Sequence, residues 1–158
     1  MDRQALWTTQ ELTAATAGRI EGKVVLPLNG VTIDSRNFSP GDIFVAIRGD
    51  RHDGHDFAAN ALKSGAGVAV VSRPTDEMRA AGPLLVVAED PVRGLENMGR
   101  ASRARSQAQV IGVTGSVGKT STKEFLAAYP GAYASPSSFN NFWGVPLTLC
   151  NASPAASL

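Results

Sequence analysis

Cysteine is nearly absent: Cys150 stands alone in 158 residues, which excludes an intramolecular disulfide framework and any metal site built from several thiolates. A reducing cytoplasm is therefore the expected compartment. Neither sign of charge is in real excess. Fifteen Lys and Arg against fourteen Asp and Glu leave +1, too balanced for a nucleic-acid binder that works by bulk charge. Long apolar runs are also missing. The longest, Ala66 to Val71, is strand-sized and far short of a bilayer span, so no membrane partner is expected. No secretory leader is expected either, because Asp2 and Arg3 put charge beside only a short apolar stretch. Internal repeats and low-complexity segments are lacking.

The composition that remains, 43% apolar and 18% charged, is that of a globular chain, long enough for one ordinary domain or two small ones. Charge is unevenly placed. Every acidic and basic side chain lies between Asp2 and Glu124, and the 34 residues from Phe125 to Leu158 carry none. Pro130, Pro136, Pro146 and Pro154 bar a membrane helix there. Phe139, Phe142, Trp143, Val145, Leu147 and Leu149 argue against a solvated linker. The segment reads as the interior of a larger domain, and the chain as a fragment. Residues 1 to about 88 are expected to be the stable part, with the uncharged tail disordered, paired between molecules or prone to aggregate.

Local patterns predict the elements. Thr8 and Glu11 form a capping box for a first helix that Gly18 should stop. Short strands are expected over Lys23–Leu26, Val31–Ile33 and Ile43–Ile47, and a helix over His55–Lys63 burying Phe57, Ala58, Ala61 and Leu62. Val68–Val71 and Leu84–Val87 read as strands covered on both faces, with a short helix in Pro74–Ala81 between them. Asp90 to Ser106 is helical, with Val92, Leu95, Met98 and Ser102 on one face and Arg93, Arg100, Arg103 and Arg105 elsewhere. It reads as a solvated connecting helix or, alternatively, one that contacts phosphate. A strand over Val110–Val113, a glycine-rich turn and a helix over Lys119–Tyr129 then open an α/β unit.

That turn is the strongest chemical signal. In Thr114-Gly115-Ser116-Val117-Gly118-Lys119-Thr120, followed by Ser121, the glycines permit close backbone approach to phosphate oxygens, and the N–H groups converge at a helix N-terminus. Lys119 is the catalytic candidate, a mobile cation for β/γ-phosphates, and the Thr120 hydroxyl is placed to ligate Mg²⁺. Val113 stands where the usual loop carries its first glycine. A glycine-rich turn with an incidental Gly-Lys-Thr is the competing reading.

The loop resembles the T-G-[ST]-x-G-K-[ST] variant of the Mur ligases, which also lacks that glycine. Lys123-Glu124 and Phe139-Asn140-Asn141-Phe142-Trp143-Gly144-Val145-Pro146-Leu147-Thr148-Leu149 are similar to the branch that adds D-alanyl-D-alanine. Asp34-Ser35-Arg36, Pro40-Gly41-Asp42-Ile43-Phe44-Val45-Ala46, Gly49, Asp53-Gly54-His55-Asp56-Phe57, Ala61 and Gly65-Ala66 resemble the first domain of these enzymes. The resemblance runs from about Thr8 to Leu149.

It implies an α/β fold: a small N-terminal α/β domain over 1–88, a connecting helix over 89–107, and over 108–158 the beginning of a P-loop NTPase-like central domain, truncated. It implies ATP and Mg²⁺ at the loop, and UDP-N-acetylmuramoyl-peptide and D-alanyl-D-alanine as substrates, joined through an acyl phosphate. Ser35 and Arg36 would meet the uridine-diphosphate end, although on their own they read as a polar strand end. Asp53 and His55 would contact ligand or merely begin a helix. Asn140 and Asn141 would face substrate between domains, or form a turn. No acidic residue follows Glu124 to hold Mg²⁺, so the chain alone is expected to be inactive. A non-catalytic UDP-sugar or nucleotide-binding module, the related ligase that adds the third peptide residue, and an unrelated P-loop NTPase remain alternatives.

Overall fold

The computed structural model describes residues 5–135 and 142–157. Its centre is a five-stranded sheet of β1 (Arg19–Glu21), β2 (Val31–Thr32), β3 (Ile43–Val45), β4 (Val68–Val71) and β5 (Leu84–Val86), in the order β1-β5-β4-β3-β2. β2 to β5 run parallel in sequence order, and β1 closes one edge antiparallel to β5. The helices are α1 (Thr9–Thr16), α2 (His55–Lys63), α3 (Asp76–Ala81), α4 (Pro91–Arg105), α5 (Lys119–Ala127) and α6 (Gly144–Asn151).

Strand side chains alternate between two faces, and both faces are buried. Phe44, Ala46, Ala69, Val71, Leu84 and Val86 meet α2 and α3 through Ala58, Ala61, Leu62 and Met78. Ile43, Val45, Val68, Val70, Leu85 and Val87 meet α1, α4 and α6 through Leu12, Leu95, Met98, Leu147 and Cys150. The fold is thus a three-layer α/β/α sandwich, the mixed sheet flanked by helices that the α/β reading expects.

The capping box forms as written: Glu11 N–H donates to Thr8 Oγ1 at 3.1 Å, and Thr8 N–H donates to Glu11 Oε2 at 2.7 Å. The left-handed C-cap falls on Ala17, not on Gly18. Gly18 is needed for a different reason, since a Cβ there would stand 2.9 Å from the Val86 carbonyl oxygen. α2 and β4 occupy the predicted residues, and α3, β3 and β5 lie within their predicted spans. Phe57, however, stays partly exposed, edge-on to His52, while Ala59 is buried in its stead.

Three expectations require correction. Lys23–Leu26 is not a strand: the free edge of β5 is taken by Arg19–Glu21, after which Gly22 turns the chain at φ +85°. Val110–Val113 has no regular secondary structure and pairs with none of the five strands among the described residues. A strand without a ladder partner is not a strand. The uncharged tail is not uniformly loose, for α6 is built into the core. Its Cys150 carbonyl accepts from Trp7 Nε1 at 3.0 Å and its Leu149 carbonyl from Ser102 Oγ at 2.7 Å. Cys150 itself is fully buried, and burial pushes its thiol up to about 12, which leaves it inert.

α4 and α6 approach closely at Gly99, where a Cβ would stand 2.9 Å from Pro146 Cα. This contact yields a test with a sign. In a helix interior, Gly→Ala normally stabilises by about 1 kcal/mol. Gly99→Ala is expected instead to destabilise by about 1–3 kcal/mol in urea titrations, because the added methyl forces the two helices apart.

Candidate functional site

In a parallel sheet the loops leaving the carboxyl ends of the strands share one edge, and the helices that follow begin there. Here that edge gathers Asp34, Ser35 and Arg36 beyond β2, Arg48 beyond β3, and Ser72 and Arg73 beyond β4. Arg48 and Arg73 were not foreseen as site residues. Their signal was available, as each lies within three residues of the end of an apolar strand.

Ser35 is half-buried and Arg36 is 86% exposed, so both are accessible. The Arg36 guanidinium forks onto Asp34, Nε to Oδ1 and Nη2 to Oδ2, each at 2.9 Å. The hydrogen bonds from Arg36 hold the Asp34 carboxyl below its usual range. The pairing presents a planar donor group at the sheet edge and leaves its Nη1 uncommitted among the described contacts, a geometry suited to phosphate.

Asp53 and His55 form a bonded cluster at the start of α2. His55 is buried at the start of α2, and both of its ring nitrogens are engaged. Nε2 accepts from Ser72 N–H at 3.1 Å, which makes Nδ1 the donor to Asp53 Oδ1 at 2.8 Å. Asp53 also accepts from His55 N–H at 3.0 Å and from Arg73 Nη2. The cluster ties the start of α2 to the end of β4. Gly54, between them, is dictated by crowding, since a Cβ would come 2.6 Å from the Ile47 carbonyl oxygen.

Burial, the largest single influence on Asp53, pushes its carboxyl up. It is outweighed by hydrogen bonds from the His55 N–H, the His55 ring and Arg73, so that the carboxyl sits well below its ordinary value. A carboxylate depressed in the folded state contributes stability that is present above the unfolded value, about 3.9, and is lost as pH falls below it. Asp53→Asn is therefore expected to cost about 1–3 kcal/mol at pH 7. It should also flatten the loss of stability between about pH 4 and 2 in acid-unfolding curves.

The second set of predicted residues forms the turn into α5. Gly115 and Gly118 adopt φ +149° and +82°, and Gly118 is the left-handed N-cap of α5. A Cβ at Gly118 would meet nothing, so backbone conformation alone demands glycine there. Lys119 folds back so that its Nζ donates to the Gly115 carbonyl across the bend. Thr114, Ser116, Val117, Thr120 and Ser121 are all exposed. Lys119 and Thr120 line a cleft of about 580 Å³ bounded by residues 110–113, α5 and α6. The first N–H groups of α5 have no carbonyl one turn back, leaving them free for an anion. A hard cation would find a suitable oxygen in the exposed Thr120 hydroxyl. With no cluster of acidic, His or Cys ligands among the described residues, the rest of its shell would have to come from phosphate and water. Asn140 and Asn141 lie outside the described residues. Two of the α4 arginines pair on the exposed face, Arg93 with Glu89 and Glu96 and Arg100 with Asn97, whereas Arg103 lines the same cleft as Lys119 and Thr120. Arg105 covers the Trp7 ring at 4.2 Å and bonds Glu11.

The described residues thus form an α/β domain with a mostly parallel sheet and arginines at its carboxyl edge, followed by a glycine-lysine turn that caps a helix. Residues 27–124 match the Mur ligase family, catalytic domain. The chain belongs to that family.

Among its relatives, UDP-N-acetylmuramoyl-tripeptide--D-alanyl-D-alanine ligase of Escherichia coli is 38% identical over 151 residues, covering 93% of this chain and 32% of that protein. The ligase of the same name from Synechocystis is 37% identical over 131 residues, 80% of this chain and 29% of that one. Among solved structures, the ligase of Acinetobacter baumannii described as UDP-N-acetylmuramoylalanyl-D-glutamyl-2,6-diaminopimelate--D-alanyl-D-alanyl ligase superposes with a TM-score of 0.77 at 35% identity. That match covers 94% of this chain and 34% of that one. MurF ligase from Thermotoga maritima, crystallised with ADP, gives 0.55 at 31% identity over 78% of this chain and 29% of that one. The chain thus spans about a third of the length of the curated relatives it matches.

Proposed function

We propose that this chain is the substrate-gripping and phosphate-loop portion of an ATP-dependent ligase that adds D-alanyl-D-alanine to UDP-N-acetylmuramoyl-tripeptide in peptidoglycan synthesis. The observation that carries the reading is Lys119 lying over the bend of its own loop at the N-terminus of α5, within a chain of this family. In this assignment residues 1–88 bind the UDP end, 89–107 connect, and 108–158 begin the ATP-binding domain. In this reading the enzyme works in the cytoplasm.

The division of labour follows from the two sites. Ser35 and Arg36, with Arg48 nearby, hold the uridine-diphosphate end through charge-assisted hydrogen bonds, contributing affinity and orientation far from the reacting carboxylate. The amides of 114–121 and Lys119 cradle nucleotide phosphates, and Thr120 offers its hydroxyl to Mg²⁺. ATP, when bound with Mg²⁺, supplies the phosphoryl group that activates the peptide carboxylate for attack by the dipeptide amine. The loop's part is positioning and compensation of charge. Asp53 and His55 keep the first site in shape without touching ligand.

Calorimetry with UDP-N-acetylmuramoyl-tripeptide and with Mg-ADP tests both halves. Arg36→Ala is expected to weaken the first ligand about ten-fold or more, and Ser35→Ala less, while Lys119→Ala removes nucleotide binding and leaves the first ligand untouched. Loss of both affinities in a folded Arg36→Ala protein, or none in either variant, would overturn the assignment. The chain alone is expected to give no UDP-muramoyl-peptide-dependent ADP release.

A further inference from the structure

The outer edge of β2 is closed by a single side chain. On its inner side β2 pairs with β3: Ile43 N–H donates to the Gly30 carbonyl at 2.8 Å, and Val31 lies opposite Ile43. Along a strand, the N–H and C=O of one residue point to the same side, so both backbone groups of Val31 face away from β3. Val31 is buried, and these two groups need partners. Asn151, the last residue of α6, supplies both. Val31 N–H donates to Asn151 Oδ1 at 2.8 Å, and Asn151 Nδ2 donates to the Val31 carbonyl at 2.8 Å. The carboxamide thus does what one residue of a sixth strand would do. Its orientation is fixed from behind, since Nδ2 also donates to the Leu147 carbonyl at 2.9 Å.

From Val31 a path of covalent links and hydrogen bonds leads to the sheet edge. Thr32, next in the strand, accepts on Oγ1 from Asp34 N–H at 3.1 Å. Asp34 in turn holds the Arg36 guanidinium by both carboxylate oxygens. Asn151 therefore stands at one end of a chain whose other end is the guanidinium assigned to the uridine-diphosphate group. We infer that Asn151 is a positioning residue for the first substrate site. By completing the hydrogen bonding of β2 it sets the register from which Asp34, Ser35 and Arg36 present themselves to ligand, so that the docking of α6 and the grip on the nucleotide diphosphate are coupled. The inference rests on the reading that Ser35 and Arg36 bind that group.

The probe is UDP, used with the full chain. Hydrogen exchange of the Val31 amide reads the Asn151 contact directly, and UDP affinity reads the site. UDP is expected to slow exchange at Val31. Asn151→Ala is expected to weaken UDP about five-fold, the lower range of coupling between sites. Asn151→Asp, which keeps the acceptor for Val31 N–H but sets a carboxylate oxygen against the Val31 and Leu147 carbonyls, should weaken UDP at least as much. Met78→Ala serves as the control for general destabilisation, because it opens a hole on the opposite face of the sheet without touching Val31. It should lower stability and leave UDP affinity unchanged. Should UDP bind the Asn151 variants as tightly as the parent, or Met78→Ala weaken UDP equally, the positioning role is overturned and the substrate reading stands. Should the parent chain not bind UDP while its Val31 amide remains protected, the substrate reading fails and the positioning role with it.

Discussion

The constraint on which this structure depends is that a parallel sheet must be covered on both faces. β2 to β5 are two to four residues long, and every residue of β3, β4 and β5 is buried. Strands this short cannot stand by their ladders alone, and most of their free energy comes from apolar contact above and below. One cover is local: α2 and α3 are the crossovers between β3, β4 and β5, and they lie where right-handed crossover connections put them. The other is assembled from distant parts of the chain, α1 before the sheet, α4 after it, and α6 from beyond the phosphate loop.

That asymmetry has a functional consequence. Because the parallel strands end together, the loops that leave them form one surface, and the chain places arginines after three successive strands there. The second face, closed by α6, ties this surface to the segment that carries the phosphate loop. Trp7, Ser102 and Val31, from three separate stretches, all bond to backbone or side chain within residues 149–151. The two chemical regions are joined through packing as well as through the chain between them.

What could be read from the residues follows the same physics. α2, α3 and β4 are set by local periodicity and by turn residues such as Gly65, and they fall where the pattern puts them. The turn into α5 was legible because its conformation is demanded locally, by glycines at positive φ ahead of a helix. Edges were not legible. Whether Arg19–Glu21 or Lys23–Leu26 would take the free side of β5 depends on a partner more than sixty residues away. The unpaired state of 110–113 depends on which strands lie nearby. That Ser72 N–H would reach the His55 ring could not be read from the residues around Asp53 and His55. Nothing in the motif around Asn151 signalled that its amide would stand in for a strand.

In the reading proposed above, the carboxyl edge of the parallel sheet holds the uridine-diphosphate end of the substrate while the loop at α5 holds a separate phosphate ligand. Backbone amide shifts recorded by NMR during titration with UDP-N-acetylmuramic acid test it most directly. The account predicts that perturbations cluster at residues 34–36, 48 and 72–73 and spare 114–121. Perturbations confined to 114–121, or scattered without relation to the strand ends, would contradict it.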